Sequence, residues 1–314
     1  MRKAKPLVGL TACTIFVFSL IAVALHAAIP ADATYKETKF CVMCHKARNA
    51  EIVTGWDKTG HAHAFWKVGQ EKTGDQIVAD FNAAGAPCTK DCVAFVLGSG
   101  RRRQAYIGAD MKVFAAEWVV TDRVWRAIPS VDATTECISC HVTGYNAAAK
   151  TWGDPFVGCQ MCHGPGSAHM SSSDKTGTIV RPQTLTPHLR ADICGQCHAT
   201  GRDPSGKFAF PIGYLPGQEV ATKFNIVKPT AHAPQQQYSE LMQSKHWAAN
   251  VVCDTCHDPH GVSTQPAQLK KPINALCQGC HANLPGPQHA AASLAKTTCA
   301  QCHMPDGAHF FRKP

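Results

Sequence analysis

Residues 93 to 125 differ from the rest of the chain because hydrophobic and polar positions alternate there. Val93, Phe95 and Leu97 share one side of an extended backbone, and the residues from Gly98 to Gly100 predict a turn. Residues 102–107 and 112–120 continue as two short strands. The pattern predicts a small β-hairpin insertion near residues 93–125 in a chain that is otherwise mainly α with much irregular loop.

The N-terminus carries the longest apolar run. A short basic segment is followed by residues 7–25, which contain no charged side chain, and then by small residues up to Ala33. This order is typical of an export signal. Its length would also just span a bilayer. We therefore predict that residues 1–33 are a signal peptide or an N-terminal membrane anchor, and that the remainder is exported.

Glycine and proline limit the length of regular elements. The chain has 24 Gly and 20 Pro, which favours short helices joined by loops. Between Pro204 and Gly217 these residues recur every few positions, and no cysteine occurs from 203 to 240. This stretch is predicted to be a linker between residues 34–202 and residues 241–314.

The cysteines carry the chemistry. Of 17 Cys, 14 lie in seven C-x-x-C-H motifs, numbered here 1 to 7 in chain order. The motifs are Cys41, Cys44 and His45; Cys137, Cys140 and His141; Cys159, Cys162 and His163; Cys194, Cys197 and His198; Cys253, Cys256 and His257; Cys277, Cys280 and His281; and Cys299, Cys302 and His303.

This spacing indicates covalent haem c. On a helical turn, positions i and i+3 share a face, so two thiols meet the two vinyl groups of one porphyrin. The following His then lies beneath the ring and supplies a proximal nitrogen to the iron. Zinc sites are the alternative for a single motif. Seven complete copies behind an export leader predict seven covalently bound haem c groups with seven proximal His ligands.

Nine further histidines follow the leader and are candidates for the other axial position. Most of them lie near motifs, and a set of nine is close to the number of irons. His188 and His232 are the weakest candidates, and Met43, Met161 and Met304, in or beside motifs, are interpreted as packing residues. The predicted distal ligands are His61, His63, His169, His246, His260, His289 and His309.

Cys88 and Cys92 remain outside the motifs. Residue 93 is Val, so this pair lacks the axial ligand that a further haem site would need. In an oxidising compartment a local disulfide is the expected outcome. Free thiols and an eighth haem are the alternatives.

Net charge does not predict a nucleic-acid partner. The formal charge is +9, but part of it belongs to the leader. Seven haems would add about fourteen negative charges through their propionates, so the sequence charge is not that of the finished protein.

Two stretches resemble known families. Residues 35–201 resemble the tetrahaem cytochrome c-554 family at Cys41–His45, Trp56–Phe65, Gly98–Tyr106, Cys137–Tyr145 and Gly158–His169. Residues 244–310 resemble the paired C-x-x-C-H segments of larger multihaem cytochromes, through Lys245–Trp247, Cys253–Gly261 and Cys299–Pro305. The resemblance implies a helical tetrahaem region followed by a trihaem region. It also implies axial roles for His169 and for His61 or His63.

The predicted function is electron transfer by short helices around stacked haems, with redox partner proteins as donor and acceptor. The predicted location is periplasmic or extracellular. One alternative is a reductase or oxidase of a small nitrogen or sulfur compound, at a haem with an open distal position. The C-x-x-C-K motif that marks many such haems is absent from the sequence. A second alternative is a subunit of an extracellular cytochrome oligomer or filament.

Overall fold

A computed structural model describes residues 29–233, 235–283, 289 and 295–312. The predicted leader falls almost entirely outside these residues. Within the described part of the chain, no helix is both long enough and apolar enough to cross a membrane.

Short helices form most of the regular structure, as the glycine and proline content predicts. The longest helix of the described residues, Pro187–His198, begins behind the Thr186 cap, whose side chain accepts a hydrogen bond from the Leu189 amide. In this part of the chain the helices are α1 Thr38–Arg48, α2 Ala50–Asp57, α3 Ala133–Glu136, α4 Ile138–His141, α5 Gln160–His163, α6 Ser167–Ser171, α7 Pro187–His198, α8 Gln237–Leu241, α9 Lys245–Ala248, α10 Cys253–Cys256, α11 Ile273–Gln278 and α12 Cys299–His303.

The predicted hairpin is part of a larger antiparallel sheet. Its five strands, ordered β1 to β5, are Phe65–Lys67, Phe95–Leu97, Arg103–Ile107, Val113–Val119 and Val124–Ala127. Strand β1 pairs with β2, with Phe65 opposite Leu97. Three residues are too few for a periodic signal, which is why the sequence did not predict β1. A separate two-stranded ladder joins β6, Gly201–Arg202, to β7, Asn225–Ile226.

The sheet packs against the second motif. Phe65 and Ile107 point to the face that also buries Ile138 and Val142, on either side of the motif 2 helix α4. The opposite face buries a separate aromatic cluster around Tyr106. The sheet therefore forms a rigid support behind motif 2.

The linker predicted for residues 203–240 is a packed segment in the structure. Tyr214, Phe224 and Tyr238 are buried together with Ala191 of α7 and Val252. The glycines and prolines that suggested a flexible spacer instead form the turns between these anchors. The sequence did not indicate this burial, because aromatic residues this far apart have no periodicity.

Candidate functional site

Each motif closes as a helical turn. In motifs 3, 5 and 6, the amide of the histidine donates to the carbonyl of the first cysteine at 2.9–3.0 Å. Motif 7 begins with a capping box, in which the Thr298 side chain accepts from the Gln301 amide and the Gln301 side chain accepts from the Thr298 amide. The turn places two thiols and one imidazole on the same side of the backbone.

Backbone carbonyls fix the orientation of four motif histidines. A carbonyl oxygen only accepts, so the Nδ1 atom of each ring must carry the proton and donate it. The other nitrogen, Nε2, is then free to bind a metal, in the arrangement usual for metal-bound histidine. The Nδ1 donors and their acceptors are His141 to Ala64, His163 to Val180, His257 to Ala267 and His303 to Arg312, each at 2.9 Å.

In two other motif histidines, the atom next to Nδ1 is a side-chain oxygen. His198 Nδ1 is 3.3 Å from Gln237 Oε1, and His45 Nδ1 is 3.2 Å from Asn49 Oδ1. Five of these six partners could not be predicted from the sequence, because four are main-chain atoms and the fifth, Gln237, lies 39 residues from His198. Asn49 alone has a local signal, since it lies one helical turn after His45.

Six of the seven motif histidines face a second histidine. Their ring centroids are 5.9 to 6.3 Å apart in every pair. The pairs are His45 with His169, His198 with His61, His163 with His260, His257 with His309, His281 with His246 and His303 with His289.

The common spacing matches metal coordination. Two imidazoles that bind one metal from opposite sides, each through a bond of about 2 Å and with roughly 1 Å from nitrogen to ring centre, have centroids about 6 Å apart. By contrast, the rings of His188 and Trp247 stack directly at 4.1 Å. The described residues contain no group of three or more His, Cys, Asp or Glu arranged to hold a bare metal ion. The thiols and paired imidazoles therefore fit haem c better than zinc.

Burial lowers the pKa of five of the six facing histidines. Desolvation, followed by the nearby His198 and His141, lowers the pKa of His61 to about 4. Burial is also the main cause that lowers the pKa of His169, His246, His260 and His309. A neutral imidazole keeps a free lone pair at physiological pH, which a metal ligand requires.

Three other histidines have different partners. His63, which was predicted as a distal ligand, bonds through Nδ1 to Asp75 at 2.6 Å, and its Nε2 is 2.9 Å from the Asp57 carbonyl. The structure therefore does not place it opposite a motif. His188 stacks on Trp247, and His232 Nδ1 is 2.7 Å from the Glu240 carboxylate.

Motif 2 is the exception. Among the histidines of the described chain, none forms a ring pair with His141, and His61, which lies near it, faces His198 instead. The other histidines have the partners given above. His141 itself is buried and fixed by the Ala64 carbonyl, and burial is the main cause that lowers its pKa. Motif 2 thus has a proximal ligand but no histidine on the other side.

The motifs adjoin one another, although not strictly in chain order. Thiols of different motifs lie side by side in four places and near one another in two more. The neighbours are Cys41 and Cys159 (motifs 1 and 3), Cys140 and Cys197 (2 and 4), Cys194 and Cys253 (4 and 5) and Cys277 and Cys299 (6 and 7), with Cys162 near motif 4 and Cys256 near Cys280.

Polar contacts also join motif 3 to motif 4 and motif 4 to motif 5. The Gln196 side-chain amide of motif 4 donates to the Met161 carbonyl of motif 3 at 2.9 Å. Arg190 of α7 pairs with Asp254 of motif 5 at 2.9 Å. The motifs therefore pack as one continuous group.

Cys88 and Cys92 are both free thiols that interact with each other. The disulfide predicted for this pair is not formed in the structure. Burial and the Cys92 thiol raise the pKa of Cys88 to about 12, whereas the interaction with Cys88 lowers the pKa of Cys92. Val93 is buried in the aromatic cluster behind the sheet, so this position has no axial histidine for a further haem.

Two family models match segments of the chain. The model described as cytochrome c554 and c-prime matches residues 117–164, and the doubled CXXCH motif matches residues 246–286. Both matches fall in the regions where the sequence resembles these families.

Curated relatives cover only part of the chain. The multihaem cytochrome MtrA of Shewanella baltica (strain OS185) is 24% identical in an alignment of length 221 that covers 54% of this chain and 66% of MtrA. The dissimilatory sulfite reductase MccA of Wolinella succinogenes is 25% identical in an alignment of length 171 that covers 48% of this chain and 22% of MccA. The matched part spans less than two thirds of each relative.

Solved structures share the fold over most of the chain. The outer cell wall cytochrome OcwA has a TM-score of 0.71 at 22% identity, covering 88% of this chain and 79% of OcwA. The undecahaem cytochrome from the S-layer of Carboxydothermus ferrireducens has a TM-score of 0.54 at 21% identity, covering 91% of this chain and 53% of its own. Together with the motifs and the family matches, these findings identify the chain as a multihaem c-type cytochrome that resembles the cytochrome c-554 family in one segment and carries a paired C-x-x-C-H segment in another.

Proposed function

We propose that the protein is an exported cytochrome with seven haems that relays electrons through closely packed, mostly bis-His sites. The observation that carries this proposal is the common spacing of about 6 Å in six histidine pairs. Haem iron supplies reversible one-electron exchange when bound. Two axial imidazoles occupy both open positions of an iron, which favours electron transfer over ligand chemistry.

The succession of motifs gives the relay an order. The neighbouring thiols connect motifs 1, 3, 4, 5, 6 and 7 in a row, and motif 2 adjoins motif 4 at the side. Electrons would enter at one end of this row and leave at the other. Motif 2 would be a branch from motif 4 rather than a member of the row.

Location and partners belong to the same proposal. We expect a periplasmic or extracellular protein, because the sequence begins with an export-type leader. The names of two similar solved structures, an outer cell wall cytochrome and an S-layer cytochrome, support this location. The partners would be redox proteins that donate and accept electrons, and further copies of the chain in an oligomer or filament are an additional possibility to test by electron microscopy.

The holoprotein tests the relay directly. It would be produced with a c-type maturation system and analysed by mass spectrometry for covalent haem. Electron paramagnetic resonance of the oxidised protein would then report the spin states. We expect seven haems, with low-spin signals from about six of the seven irons. Fewer haems, or a mainly high-spin spectrum, would overturn the proposal.

A second function is favoured by motif 2. His141 is the one motif histidine with no histidine opposite it in the described chain, and an iron held there would keep a position for a small ligand. The sequence similarity to the sulfite reductase MccA supports reduction of a small nitrogen or sulfur compound at this site.

Carbon monoxide binding distinguishes the two functions. The reduced holoprotein is titrated with carbon monoxide and then supplied with sulfite, nitrite or hydroxylamine and reduced viologen. Binding of about one carbon monoxide per seven haems, with turnover of one compound, would establish the reductase. Binding without turnover limits the protein to electron transfer, and the absence of binding shows that motif 2 has a sixth ligand.

A further inference from the structure

Segment 308–312, near residue 314, contacts one histidine at each of three motifs. These histidines are His257 of motif 5, His246 opposite motif 6 and His303 of motif 7. His309 faces His257 of motif 5, with ring centroids 6.2 Å apart. The ring of Phe311 lies 4.2 Å from that of His246, which faces motif 6. The Arg312 carbonyl accepts the Nδ1 proton of His303 in motif 7.

One buried carboxylate holds this segment. The side chain of Glu240, in α8, is completely buried. Its Oε2 atom accepts from the His309 amide at 2.6 Å, while Oε1 lies 2.7 Å from His232 Nδ1 and 3.0 Å from Gln236 Nε2. The carboxylate thus joins α8, the loop before it and the C-terminal segment.

The burial of Glu240 makes its hydrogen bonds important for stability. Hydrogen bonds to an ionised acceptor are about twice as strong as neutral ones. Removal of the carboxylate would take the acceptor from the His309 amide and from His232 Nδ1, whereas Gln236 Nε2 keeps its bond to the Ala231 carbonyl. Helix α8 packs on α7, which ends at His198 of motif 4. Glu240 therefore connects segment 308–312 to the helices that pack beside motif 4.

We propose that Glu240 is a positioning residue that fixes segment 308–312 and, through it, the distal ligand of motif 5 and the surroundings of motifs 6 and 7. The inference rests on the proposed haem occupancy. Glu240 bonds to the His309 amide and not to the His309 ring. It acts through the main chain of His309.

Two variants test the role in the full-length holoprotein. Glu240→Ala removes all three contacts, and we expect high-spin iron to rise from about one in seven to about two in seven, with a second carbon monoxide bound after reduction. Glu240→Gln keeps the shape but replaces one acceptor oxygen with a donor. It should fold normally and show an intermediate change.

Two controls separate positioning from general loosening. His232→Ala removes one Glu240 contact but leaves the bond to the His309 amide, so its spectrum should match the wild type. Gln104→Ala removes a buried, hydrogen-bonded residue in the sheet, behind motif 2, and should lower stability without changing the signals of motifs 5 to 7.

The outcomes are distinct. Wild-type spectra from both folded Glu240 variants would overturn the inference, and so would an equal spectral change in Gln104→Ala. If the wild type lacks seven haems or six low-spin irons, the proposed function is rejected, and the role of Glu240 is rejected with it. A wild type that behaves as expected, with unchanged Glu240 variants, rejects only the role of Glu240.

Discussion

His61 lies opposite His198, with ring centroids 6.3 Å apart, although His61 belongs to the segment between motifs 1 and 2 and His198 ends motif 4. Other pairs also cross the sequence order. His260 follows motif 5 and faces His163 of motif 3. The partner of a motif is therefore determined by the fold and not by nearness in the chain.

Replacement of His61 should open the iron of motif 4. In His61→Ala we expect high-spin iron to rise from about one in seven to about two in seven, because no other histidine faces His198 in the described chain. Electron paramagnetic resonance and carbon monoxide titration measure this change. His63→Ala is the matched control, since the His63 ring is bonded to Asp75 and the Asp57 carbonyl. A spectral change in His63→Ala alone would show that these two residues have been assigned the wrong way round.

Gly55 is required by the close approach of the His260 segment. A Cβ atom at residue 55 would lie 2.6 Å from the His260 carbonyl oxygen and 2.8 Å from the Val262 nitrogen. Gly55→Ala should therefore lower the free energy of unfolding by about 1–3 kcal/mol, the usual effect of overpacking. It should also weaken the low-spin signal of motif 3.

Gly153→Ala serves as the comparison. Its added Cβ would meet only the Thr143 carbonyl oxygen, at 3.3 Å, so a smaller loss is expected. Denaturant unfolding measures the loss of unfolding free energy in both variants, and electron paramagnetic resonance measures their low-spin signals. Equal effects would mean that the contact between Gly55 and residues 260–262 has no special role.

The segment 203–240 contributes to stability because it is packed. Phe224 is 1% exposed, and Phe224→Ala should cost about 3–5 kcal/mol, as is usual for a buried phenylalanine. Val227, three residues later, is 54% exposed, and Val227→Ala should change stability by less than about 0.5 kcal/mol. Thermal unfolding compares the two. Similar small effects would favour the linker that the sequence predicted.

Cys88 and Cys92 should have no part in haem attachment. The double variant Cys88→Ser, Cys92→Ser is expected to keep seven covalent haems and the wild-type absorption spectrum, because Val93 supplies no axial ligand. Mass spectrometry of the intact protein counts the haems. Eight haems in the wild type and seven in the variant would contradict this prediction.

Much of the site follows from the sequence because its signal is local. The spacing within each motif specifies a helical turn, and the structure forms such turns. Six of the seven candidate distal histidines lie opposite a motif histidine, and His63 does not. Their assignment to individual motifs could not be predicted, because it depends on how distant segments pack.

His61 and His63 illustrate the limit. They lie in one short 3₁₀ turn and have the same neighbours in sequence. What separates them is Asp75, whose carboxylate bonds to His63 after the chain has folded back. The pattern of hydrophobic and polar residues in the sequence does not predict a contact of this kind. The same reason explains why strand β1 and the packed segment 203–240 were not predicted.

The interleaved pairs have a consequence for how the protein is made. A chain is synthesised from its N-terminus, so His61 exists before the histidine of motif 4 that it faces. Motif 3, in contrast, is synthesised before His260, which faces it, and motif 5 before His309. A chain interrupted between motif 5 and residue 309 would therefore contain the motif but not the histidine that lies opposite it.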